Sequence, residues 1–204
     1  MKKVLCFLVI CFVSSMAVAV ESELTTYSFW CGQDPSGPES GCAWYDDKVA
    51  VIIEGETPAD RDPVAMADFV DFLHRLHDAF EAQTGLTDLP LNTGWNDRIV
   101  TQVAIDNCGA GGLASHGTTG ISVGRGIFET QYANCLAGNN TSGQIYFYET
   151  KRNNCPSSFN QKVVWAIDSS PSDYGFWTVG MNNAHAYMMC HYLGCELEYA
   201  GTNN

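Results

Sequence analysis

The sequence predicts an α+β chain, and three observations predict it. "KVAVII" (48–53) is a short β-branched run after a turn-rich stretch, which is how a strand reads. From Pro58 to Thr84 the apolar residues Val64, Phe69, Leu73, Leu76 and Phe80 recur at three- to five-residue spacing between charged ones, with Gly85 behind them, as in an amphipathic helix. Further strand-like runs follow, and then a second long helical stretch from Asp173 to Leu193.

Taken in order, the first segment is an address rather than part of the fold. Lys2 and Lys3, the apolar run Val4 to Val13 and the small residues Ala17-Val18-Ala19 make the three regions of a secretory signal peptide (1–19), with Val20 as the mature N-terminus. That run is shorter than the roughly 20 apolar residues a membrane helix needs, and no later run approaches that length. Residues 20–47 form a turn-rich N-terminal segment and 48–204 one domain. "RIVTQVAID" (98–106) is the clearest strand, with Ile99, Val103 and Ile105 available to a core. The Gly-rich stretch 109–126 follows. Its "GISVGRGIF" matches G-x-G-x-x-G only loosely and reads as a turn-rich loop, not a phosphate cradle. "QIYFYE" (144–149) and "KVVWAID" (162–168) read as further strands. The last helix is capped by Ser172 or Asp173 and closed near Gly194.

Composition excludes two classes of partner. Without Lys2 and Lys3, 8 basic residues face 23 acidic ones, a mature net charge of −15. Nucleic acid and anionic membranes would repel such a chain. The acidic residues are scattered, as on a solvated surface, and no Asp-x-Asp-x-Asp loop argues for calcium. Cys6 and Cys11 leave with the signal, so Cys31, Cys42, Cys108, Cys135, Cys155, Cys190 and Cys195 remain. In an exported chain without a C-x-x-C pair they form a disulfide framework. Seven is odd, so at least one thiol stays free, pairs between chains or has lost its partner. Cys31 and Cys42, flanking "GQDPSGPESG", are the first pair expected to bridge.

"TVGMNNAHAYMMCH" (178–191) sets His185 and His191 in an apolar, helix-prone stretch. With the strand-loop-helix order of residues 163–194 around it, this segment resembles the zincin metallopeptidases, whose metzincin branch carries H-E-x-x-H-x-x-G-x-x-H on its second helix. Laying the last two histidines of that pattern on His185 and His191 puts Met181 at the first histidine, Asn182 at the glutamate and Met188 at the glycine. The resemblance implies a zincin-like fold, a mixed β-sheet with two long helices, the second carrying a metal-site remnant. It implies zinc as the cofactor, with His185, His191 and position 181 as ligand positions. The departures have chemical weight. Asn182 cannot take a proton as a carboxylate does, and Met181 offers a thioether where zinc prefers imidazole. If Met188 lets the helix run on to Gly194, residues six apart stand about 120° and 9 Å apart and share no metal. Only 13 residues follow His191, too few for the C-terminal subdomain with a methionine turn.

The expected function is therefore that of an exported, non-catalytic, metallopeptidase-like protein that binds a peptide or protein ligand by main-chain pairing, with "QIYFYE" as the open edge. An active zinc peptidase with an atypical site is the first alternative. The second is a soft-metal protein, because Met181, His185 and Met188 fall at i, i+4 and i+7, a set suited to Cu(I). Elsewhere, His74 and His77 read as an amphipathic helix edge. His116 and Ser115 lie in a loop without a G-x-S-x-G elbow, and Trp165, Tyr174, Phe176 and Trp177 read as packing.

Overall fold

A computed structural model describes residues 19–29, 38–85, 91–105, 112–113, 120–154 and 174–198. Its centre is β3 (Val49–Glu54), the expected β-branched run, in which Val49 to Ile53 are all buried. A strand buried on both faces reads as a continuous apolar run, and its central place explains the pattern. β1 (Glu21–Ser28) and β2 (Pro38–Tyr45) precede it as antiparallel strands, so the segment read as turn-rich carries two strands. Their sequence hid this because β1 is exposed along most of its length and shows no apolar alternation.

Helix α1 (Pro63–Thr84) starts five residues later than the spacing predicts. Residues 58–60 form a separate 3-10 turn, and the Asp62 carboxylate caps α1 by accepting from the backbone N–H groups of Val64 and Ala65. Val64 therefore sits in the first turn, 69 % exposed, whereas Phe69, Leu73, Leu76 and Phe80 are buried as expected. Gly85 ends the helix in the left-handed region at φ 68° and returns its N–H to the Glu81 carbonyl. β4 (Ile99–Ala104) follows with Ile99 and Val103 in the core. Ile105 lies past its end and is 56 % exposed, a correction to the expected core.

Two further elements correct the sequence reading. "GISVG" is strand β6 (Gly120–Gly124), which pairs with the two-residue β5 (Gly112–Leu113) and runs directly into helix α2 (Arg125–Leu136). The expected loop is thus a strand-helix junction. "QIYFYE" begins helix α3 (Gln144–Asn154) and is not an edge strand. Its aromatic residues favour β structure locally, yet Tyr146, Phe147 and Thr150 are buried together, at positions that share a helix face. Helix α4 (Tyr174–Leu193) matches the expected second long helix and ends at Gly194, φ 68°. β7 (Thr141–Gly143) and β8 (Glu196–Glu198) form a small parallel pair. "KVVWAID", Ser172, Asp173, Ser115 and His116 lie outside the described residues.

The main sheet runs β1-β2-β3-β4-β6-β5, with β3, β4 and β6 parallel and the outer strands antiparallel, so the fold is a mixed α+β arrangement. Alternate residues of β3 separate its two sides. Val49, Val51 and Ile53 join residues of all four helices in the large core, while Ala50 and Ile52 join Phe29, Ala43, Val100 and Ala104 on the other side. Phe69 anchors the large core, with edge-to-face contacts to Phe128 and Tyr146 at 5.3 and 5.8 Å. No described helix is long and apolar enough to cross a membrane.

Candidate functional site

Helix α4 carries the residues the sequence singled out. It continues without a break across Met188, burying Ala186, Met189 and Cys190. His185 is half-buried, its ring edge against Phe80 at 5.7 Å, whereas His191 is exposed. Six residues apart on a continuous helix, they stand about 120° and 9 Å apart, so α4 does not bring them to one ion. Met188 is 59 % exposed, with Tyr187 and Tyr192 beside it, so it is turned to solvent rather than toward the core. Met181 and Asn182 belong to α4, but their side chains lie outside the described residues, as do those of Tyr174, Phe176 and Trp177.

The two histidines of α1 part company. His77 is buried, and burial pushes its pKa down to about 3, with the Lys48 ammonium adding to the effect. His74 is only half-buried and faces the turn between β2 and β3. There Asp46, itself buried, closes the turn. Its Oδ1 accepts from the N–H groups of Lys48 and Val49 at 2.8 Å each, and its own N–H donates to the Val49 carbonyl. This leaves Oδ2 to meet His74 Nδ1 at 2.6 Å. Asp47, exposed next door, brings a third group, and one donor atom from each of Asp46, Asp47 and His74 lies within 4.8 Å of the other two. On the far side of the ring, Nε2 is 3.6 Å from Asp78 Oδ2.

Charge around this cluster is mixed. The Lys48 ammonium spans Asp78 at 2.6 Å and Glu81 at 3.2 Å. Burial alone would lower its pKa, but the two carboxylates outweigh that and hold it raised. The Arg98 guanidinium donates to the Asp46 carbonyl and lies 4.6 Å over the Tyr45 ring. The cluster therefore has a carboxylate fixed by backbone donors, an imidazole oriented by it, and a second carboxylate at the surface. Sequence reasoning missed it because Asp46 and His74 are 28 residues apart, and nothing local announces that α1 packs its third turn against that strand turn.

A second charged group gathers where β3 and β6 end. Arg61 binds Glu56 and Glu129, Arg125 also binds Glu56, and the Arg61 guanidinium lies 4.8 Å from the ring centres of both Phe128 and Tyr132. The hydrogen bonds from Arg61 hold Glu129 below its ordinary pKa. Two cations and two carboxylates satisfy one another here, and the group ties the start of α1 to α2.

A cavity of about 220 Å³ lies beside α1 and α2, with Asp68, Asp71, Gln131, Cys135 and Cys195 in its wall. Cys195 is bridged to Cys190. Cys42 and Cys135 are free thiols, both pushed up to about 11, chiefly by burial. The expected bridge from Cys42 to Cys31 is thus not formed. Cys42 sits in β2 with its side chain in the large core, while Cys31, Cys108 and Cys155 lie outside the described residues. Comparison with protein-family models, curated proteins and solved structures finds no match for the chain.

Proposed function

We propose that the protein is an exported, non-catalytic chain of zincin-like descent that holds an extended, cationic peptide along strand β1. Export rests on the leader-like first 19 residues, and the Cys190–Cys195 bridge is compatible with it. The non-catalytic reading rests on the departures at 181 and 182 and on the unbroken α4, which keeps His185 and His191 apart.

The observation that carries the binding reading is the free edge of the sheet. β1 pairs with β2 over all eight of its residues and ends the strand order, so its outer main-chain groups have no strand partner among the described residues. An extended peptide can add there as a further strand, its main chain supplying the hydrogen bonds. Charge selects the occupant. Residues 20–47 contain six carboxylates and no Lys or Arg, and Glu21, Glu23 and Glu39 are exposed on the hairpin. The same carboxylates disfavour a second copy of β1, whose like charges would repel. Leu24, 67 % exposed, follows Glu23 and offers an apolar contact on the other face of the strand.

A labelled peptide of alternating lysine and valine, as long as β1, tests the reading by fluorescence anisotropy. Saturable binding that weakens with salt is expected, together with slowed amide exchange across 21–28. Glu21→Lys combined with Glu23→Lys should weaken it about tenfold, the loss of roughly 1.4 kcal/mol that two exposed charge pairs supply. The peptide should be recovered intact. Absence of binding would remove the β1 reading, and cleavage of the peptide would favour an active peptidase instead.

A further inference from the structure

We propose that Asp46, Asp47 and His74 form a binding site for one divalent first-row cation, zinc or an ion of similar demand, away from helix α4. Two carboxylates and an imidazole are a donor set for such ions, and the imidazole favours zinc over magnesium or calcium. The donors already converge within 4.8 Å of one another and come from two elements fixed independently, the β2–β3 turn and the third turn of α1. Asp46 is held by two backbone donors on Oδ1, so Oδ2 faces the site without needing to reorganise. Its carboxylate would bind through one oxygen while the other stays in the turn.

The contact at 2.6 Å between Asp46 Oδ2 and His74 Nδ1 is a hydrogen bond as it stands. Two ligands about 2.1 Å from one tetrahedral ion are about 3.4 Å apart, so binding asks for a widening of about 0.8 Å. His74 is half-buried at the helix surface and Asp47 is exposed, which leaves room for that shift and for solvent to complete the coordination. The ion would replace the shared hydrogen, which passes to solvent. Facing groups are Lys48 from the turn, Asp78 and Glu81 from α1, and Arg98 before β4. Lys48 is engaged by Asp78 and Glu81, and Arg98 by backbone carbonyls, so neither cation occupies the three donors.

The site does not rest on the peptide reading: Asp46 and Asp47 are among the six carboxylates counted there, but neither lies on β1 or is changed in the peptide test. Titration of the purified protein with Co²⁺, followed by its visible absorption and then displaced with Zn²⁺, is the test. One ion per chain is expected. His74→Ala should lower the affinity at least tenfold and Asp47→Asn by a smaller factor, while His185→Ala with His191→Ala leaves it unchanged. If His74→Ala fails to fold, by circular dichroism, Asp47→Asn decides, because that exposed carboxylate can be neutralised without opening the core. Lack of saturable binding by the wild type, or affinity untouched by Asp47→Asn, would overturn the proposal.

Discussion

His77 lies 2 % exposed on the inner side of α1, where burial pushes its pKa down to about 3. An unfolded histidine titrates near 6.5, so between about 6.5 and 3 the unfolded chain binds the proton that the folded one refuses. The depressed value makes stability full above about pH 6.5 and has it fall with decreasing pH, by up to about 1.4 kcal/mol per unit. Urea midpoints at pH 7 and pH 5 should therefore differ more for the wild type than for His77→Leu. Equal differences would show that this imidazole does not set the acid limb. Gly120 makes a second single-residue demand. Its φ is +133°, and an added Cβ would stand 1.8 Å from the Val100 carbonyl oxygen across the parallel ladder. Gly120→Ala should cost about 3 kcal/mol or more and lower Tm by roughly 10 °C, read by thermal denaturation.

Among the elements, α1 shows how a cap sets a boundary. Asp62 accepts from two of the helix's first N–H groups and gives its own N–H to the Tyr132 hydroxyl at 2.8 Å, so the cap also joins α1 to α2. Asp62→Ala should destabilise by about 1 kcal/mol, measured by chemical denaturation, while Asp62→Asn should recover most of that loss. In α2 the helical period is present in the sequence, with Phe128, Gln131, Tyr132 and Cys135 at i, i+3, i+4 and i+7, but the glycines at its start favour a loop locally. In α3 the opposite happened. Gln144 to Glu149 carry β-favouring aromatic residues, and only packing against α4 and the sheet makes them helical.

For the molecule as a whole, the export proposal and the cysteine chemistry are open to one set of measurements. Val20, the expected mature N-terminus, packs against the large core immediately before β1. If the chain is exported as proposed, mass analysis of the mature protein should begin at Val20, and non-reducing peptide mapping should link Cys190 to Cys195. Cys42, buried in that core with its thiol pushed up to about 11, should resist iodoacetamide at pH 8 until the protein is unfolded. Rapid labelling of Cys42 in the folded protein would contradict the packing of β2 against the helices.

By itself the sequence determined the α+β class, β3, β4 and the two long helices, because a continuous apolar run and a 3.6-residue period are local signals of burial. It also determined the acidity, which is a count of side chains that packing does not change. Only the tertiary structure decided that residues 21–45 are strands, that "QIYFYE" is a helix, and that Cys42 is a core thiol. Each of those outcomes depends on what lies across the sheet or the core. The same is true of the Asp46–His74 pair. A turn between two strands and the third turn of a helix meet only once β2, β3 and α1 have packed, and no spacing along the chain encodes a contact made by residues 28 apart.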